Sequence, residues 1–221
     1  MNLPASLFSA TWHGFMLVVT ALTLYSLLRR APWGRLRDGR QLNLLLGFAV
    51  CLTLMWSLKA GVMPGLTLHL LGAMAATLAL GPWFALAVLA LALTGITLNG
   101  ALEWVAWPLN FVLMAVVPVA LAYGIQRAIE RWLPAHFFIF VFVTSFAGAA
   151  LTVMLQGAVS SLAMMLAGAY SAAFLLSEYL PFFLLLGFSE AWISGAIITL
   201  MVVYRPEWVA AFDDRRYLID K

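Results

Sequence analysis

Seven apolar runs, each of about 15 residues or more, fill most of this chain, and a polypeptide so patterned has few ways to fold. Water cannot accommodate that much apolar surface. Lipid can, provided that every backbone N–H and C=O is paired within a helix or a closed barrel. Barrel strands read as short segments of alternating polarity, whereas these runs are continuous, so the spanning elements are helices. Composition agrees, since 65% of the 221 residues are hydrophobic and only 10% are charged. Soluble domains carry about 25% charged residues. The expected fold class is therefore an all-α polytopic membrane protein.

A helix rises 1.5 Å per residue, so about 20 residues cross the hydrocarbon core. The expected spans are residues 6–28, 42–58, 66–80, 83–98, 109–125, 136–166 and 180–204, in a single transmembrane domain, with a polar tail over 205–221. Pro64-Gly65 breaks the chain before the third span, and Gly81-Pro82 turns it into the fourth. The sixth run is longer than one crossing needs, so it is tilted, broken near Gly148 or Gly157, or extends past the bilayer. The start, Met1-Asn2-Leu3-Pro4, lacks the basic region of a signal peptide, so the first span is expected to be retained.

With seven spans and the N-terminus outside, Arg29, Arg30, Arg35, Arg37, Arg40, Arg127, Arg131, Arg205, Arg215, Arg216 and Lys221 all fall inside, and Lys59 alone falls outside. Eleven of the 12 basic residues on one side match the rule that cytoplasmic loops are positive. The C-terminus is then cytoplasmic. Trp33, Trp83, Trp132 and Trp208 sit at inner span ends and Trp56, Trp104 and Trp107 at outer ends, as interfacial aromatics do.

Nothing in the chain points to catalysis. There is no GxxxxGK[ST] phosphate loop, no GxSxG and no HExxH, so neither ATP hydrolysis by that loop nor an enzyme of those classes is expected. The net charge of +3 is spread over span ends and is not a nucleic-acid signal. The lone Cys51 permits no intramolecular disulfide, and the ten methionines are too scattered for a soft-metal conduit. Few polar residues lie within spans. Glu190 is mid-span, where a carboxyl costs about 2.5–3.5 kcal/mol on insertion scales, so it faces a protein interior or cavity. It is either a substrate-path or gating residue, or a protonated carboxyl that ties two helices together. His69 lies near the outer end of the third span, as a metal ligand or a packing residue. His13 has no further support, and His136 suits an interface. Asn110 and Gln156 suit hydrogen bonds between helices, and Gly72 and Ala76 allow close helix contact.

Residues 65–83 combine His69, Gly72 and the turn Gly81-Pro82-Trp83. Downstream come Gly100, Asn110 and Met114, and in the last span Ser189-Glu190-Ala191. These stretches resemble the CbiM/NikM family, the substrate-binding membrane components of energy-coupling factor transporters for cobalt and nickel. The resemblance covers roughly residues 60–200 and is most specific around His69–Trp83. It implies a multi-pass permease of the bacterial inner membrane, surrounded by lipid, that works with a coupling membrane protein and cytoplasmic ATPases. It implies an outer site for a divalent transition metal (cobalt or nickel) as substrate, with no resident cofactor; a deprotonated backbone nitrogen as ligand would also suit copper. By resemblance the ligands are the free amine of Met1, the backbone nitrogen of Asn2 and His69. The family carries a histidine at position 2, and this chain has Asn2. That departure keeps a second expectation open, a non-transporting scaffold or assembly factor built on the same fold.

Overall fold

The computed structural model describes residues 2–219 apart from Val62 and Pro64. The first two apolar runs form α1 (Ala10–Arg30) and α2 (Gly39–Ser57). Arg29 and Arg30 end α1, where cations complement the helix dipole, and the Asp38 carboxylate caps α2 by accepting from the Arg40 N–H at 3.0 Å. A two-stranded antiparallel hairpin follows, β1 (Ala60–Gly61) against β2 (Thr67–Leu68), pairing Ala60 with Leu68 and Gly61 with Thr67. Next come the short α3 (Ala73–Leu80) and α4 (Pro82–Leu98). Gly81, at φ +82°, makes the turn between them, and Pro82 starts α4 where its missing N–H costs nothing.

The remaining helices are α5 (Trp104–Trp132), α6 (Ile139–Leu166), α7 (Ala172–Glu178) and α8 (Phe182–Tyr204). In α5 a π turn over Val112–Val116 lies just before Pro118. Pro118 has no N–H to give to the Met114 carbonyl, so the regular ladder cannot continue through that point. The long sixth run is one continuous helix that changes from π over Ile139–Ala147 to α at Gly148. A Cβ at Gly148 would come within 2.6 Å of Met74 Cε, so glycine there lets α6 lie close against α3.

Among the described residues five helices, α1, α2, α5, α6 and α8, are long and apolar enough to cross a membrane, and α4 is an apolar helix of 17 residues. The expected span over 66–80 is different. Only Ala73–Leu80 is helical; Thr67–Leu68 is strand and the stretch between is neither helix nor strand. Gly72, the last residue before α3, is at φ +69°, and a Cβ there would also strike Leu52. Every residue of α3 is buried, and the helix packs against α4, α5, α6 and α8 at the centre of the bundle. Around it α6 pairs with α8, and α2 with α4. The outward faces keep exposed Phe15, Leu22, Leu46, Leu54, Leu184 and Phe188, the surface that lipid solvates.

The polar tail is docked rather than free. After α8 the chain turns back so that the N–H groups of Ala210 and Ala211 donate to the carbonyls of Ala79 and Leu78, each at 3.0 Å. Phe212 and Tyr217 stack on one another and pack edge-on against Phe140 at 5.0 and 5.1 Å. The last carbonyls of α3, orphaned by the helix end, thus find donors in the tail.

Candidate metal centre

The segment after β2 carries His69, and three contacts fix it. The His69 ring lies 5.1 Å from that of Trp56, whose indole N–H donates to the Leu71 carbonyl at 3.2 Å. His69 Nδ1 is 3.0 Å from the Leu70 carbonyl. A carbonyl only accepts, so Nδ1 carries the proton and the lone pair of the neutral ring is on Nε2. That is how a ligating imidazole is normally oriented, with one nitrogen held by a carbonyl and the other turned to the metal. Beside the ring is a cavity of about 10 Å³ lined by Thr67, Leu68, Val153, Gln156, Phe183 and Leu186 together with His69 and Leu71. This is the scale of one water molecule or ion.

Glu190 holds the segment from below. Its carboxylate accepts from the Leu71 N–H at 2.8 Å, the Gly72 N–H at 2.6 Å and the Ser194 hydroxyl at 3.0 Å. The two amide N–H groups can only donate, so each carboxyl oxygen accepts one of them at the start of α3. Glu190 is 2% exposed and joins α8 to the start of α3. It holds the backbone of the segment that carries His69 and does not itself line the cavity, the placement of a positioning residue.

The N-terminal segment arrives from the other side. The Asn2 N–H donates to Thr67 Oγ1 at 2.8 Å, two residues before His69. Asn110 then holds Leu3 by both backbone groups: Oδ1 accepts from the Leu3 N–H at 2.9 Å, and Nδ2 donates to the Leu3 carbonyl at 2.8 Å and the Ala106 carbonyl at 2.9 Å. The Leu3 side chain is fully buried. The Ala5 N–H donates to Glu103 at 3.2 Å, and the His13 ring meets the Ala5 carbonyl at 3.0 Å. Thr67 lines both the small cavity beside His69 and a larger cleft of about 400 Å³ shared with Asn2, Lys59 and Glu103. Asn2 and His69 are therefore brought to one place. Met1 lies outside the described residues.

Among the described residues no three His, Cys, Asp or Glu side chains gather as a metal cage. A metal here would have to take backbone and terminal nitrogens beside the imidazole, a donor set that suits the tetragonal nitrogen coordination of nickel or copper. Sequence reasoning missed Thr67 and Trp56. Their signal was weak, an alternate position in an extended stretch and an aromatic at a helix end. Gln156 does bond between helices, donating to the Leu113 carbonyl at 3.2 Å, but it also lines the small cavity.

A model of the CbiM family, described as cobalt uptake substrate-specific transmembrane region, matches residues 2–208. The chain belongs to the CbiM family. It is thus a multi-pass membrane component of a metal-transport system and not an enzyme. The crystal structure of a truncated transition metal transporter superposes with a TM-score of 0.79, covering 92% of this chain and 99% of that one at 19% identity. At that identity the likeness speaks for the fold. No curated protein matches the chain. Within the CbiM fold, Asn110 anchors the N-terminal segment and Glu190 the loop that bears His69.

Proposed function

We propose that this CbiM-family chain is the substrate-binding permease of an energy-coupling factor transporter for cobalt or nickel, in a bacterial inner membrane. The carrying observation is the docking of the N-terminal segment on Thr67 and Asn110, two residues along from an imidazole whose Nε2 holds the lone pair. The Met1 amine, the Asn2 backbone nitrogen and His69 are the assigned ligands; to ligate, the Asn2 nitrogen gives up its proton and with it the bond to Thr67. A coupling membrane protein and cytoplasmic ATPases supply the energy. Asn2, in place of a ligating histidine, favours a second reading in which the fold serves as a scaffold without transport. Metal analysis and nickel and cobalt titration of protein with a native N-terminus separate the two. The transport reading expects one metal per chain, lost when extra residues precede Met1. Absence of metal from both forms supports the scaffold.

The orientation that this function needs puts the N-terminus outside and the tail in the cytoplasm, with seven crossings in which α3 and the stretch before it together make the third. It is supported by the distribution of the basic residues. In a Cys51→Ala background, Val105→Cys (68% exposed) is expected to react with an impermeant maleimide added from outside. Gly34→Cys, where a new Cβ meets nothing within 4 Å, is expected to react only after the membrane is opened. The opposite pattern rejects the orientation.

A further inference from the structure

At the end of the bundle opposite the N-terminus, the start of α2 and the turn after α8 enclose a cavity of about 520 Å³ lined by Arg40, Asn43, Leu44, Arg205, Glu207 and Trp208. Its polar lining is dominated by donors with no partner among the described residues. Among the described residues, no hydrogen bond or ion pair engages the Arg40 guanidinium, the Asn43 amide or the Trp208 indole N–H. Arg205 reaches Glu207 at 3.8 Å, with both side chains at least half exposed, a contact too long and too wet to neutralise it. Two guanidinium groups, an amide and an indole N–H around one cavity call for a ligand made of acceptors and carrying negative charge.

The position of the cavity narrows the choice. Both flanking helices, α2 and α8, are membrane-long and end here, so the cavity lies at the level of the headgroups. Next to it both helices expose apolar side chains, Leu42 and Leu46 on α2 and Leu200 and Val203 on α8. A ligand seated here meets cationic donors at one end and lipid-facing hydrocarbon at the other. A free anion uses only the first feature; an anionic phospholipid uses both. Trp208 adds the amphipathic ring that favours the headgroup layer.

We propose that this cavity is a specific binding site for the headgroup of an anionic phospholipid, with a phosphodiester held between Arg40 and Arg205. Asn43 and Trp208 donate to its remaining oxygens, and its acyl chains run along the exposed faces of α2 and α8. Glu207 is the one anion in the lining and weakens the site. The proposal rests on the membrane fold and is independent of whether metal binds.

Retention of phosphatidylglycerol, followed by native mass spectrometry of protein released from nanodiscs, tests it. The wild type is expected to keep one phosphatidylglycerol and no phosphatidylcholine. Arg40→Gln/Arg205→Gln is expected to lower retention about thirtyfold, since each arginine near an anionic lipid contributes about fivefold. Glu207→Gln is expected to raise it. Arg131→Gln/Arg216→Gln, in a separate basic cleft that also holds Glu130, is expected to leave it unchanged. Equal losses in both double variants would mean general charge attraction and overturn the site. Displacement of the lipid by inorganic phosphate would reduce it to a free-anion site and overturn the lipid assignment. Retention only when an acidic partner protein is absent would give the face to that partner and overturn it too.

Discussion

Glu190→Leu is expected to cost the folded protein about 2–5 kcal/mol and to lower its melting temperature in detergent by many degrees. Three donors lose their acceptor at once: the N–H groups of Leu71 and Gly72 and the Ser194 hydroxyl. A buried N–H left without its acceptor costs about 1–3 kcal/mol, and these two amides have no water to turn to. The relief of no longer burying a carboxyl offsets part of this. Glu190→Gln keeps one acceptor oxygen but turns an NH₂ toward a backbone N–H, so it is expected to fall between wild type and Leu. Melting followed by tryptophan fluorescence gives the order. A Leu variant as stable as wild type would show that the carboxylate does not hold α3.

The contrast between what could and could not be read from the chain follows from the same contacts. The apolar runs specify helices because lipid leaves the backbone no other partner, and α1, α2, α4, α5, α6 and α8 follow them closely. Glu190 and Asn110 stood out because polar groups are rare in such runs, and both proved to be bonded inside the bundle. Their partners were hidden. Asn110 holds the backbone of Leu3, 107 residues away, and Glu190 holds that of Leu71, 119 residues away; backbone groups carry no sequence label. The run over 66–80 is as apolar in an extended segment as in a helix, so only Gly72 and a distant carboxylate decide where α3 begins. Likewise the docked tail looked polar because of its charges. Val209, Phe212 and Tyr217 are the buried minority that anchor it.

Replacing His69 with alanine is expected to abolish nickel and cobalt binding, while Asn2→His is expected to strengthen it. His69 offers the one imidazole beside the small cavity, with Nδ1 held by the Leu70 carbonyl. Without it the described side chains near Asn2 include the Glu103 carboxylate and the Thr67 hydroxyl but no imidazole or thiolate, and hard oxygen donors suit these metals poorly. Losing even an outer-shell partner of a ligand costs about 10- to 100-fold in affinity, so loss of the ligand itself should exceed about 100-fold. The Asn2→His change tests the geometry from the other direction. The Asn2 backbone is fixed by Thr67 and its neighbour Leu3 by Asn110, so a new imidazole at this position starts from an ordered segment. The Asn2 Oδ1 meets no donor among the described residues, so the substitution gives up only a long contact of 3.4 Å from Nδ2 to the Ala101 carbonyl. A gain of at least about tenfold is expected in isothermal titration, because a ligand contributes no less than an outer-shell partner does. If His69→Ala leaves metal affinity intact and Asn2→His adds nothing, the N-terminal segment and His69 do not share a metal site. The metal is then held elsewhere, and only a chain that binds none in any form supports the scaffold reading.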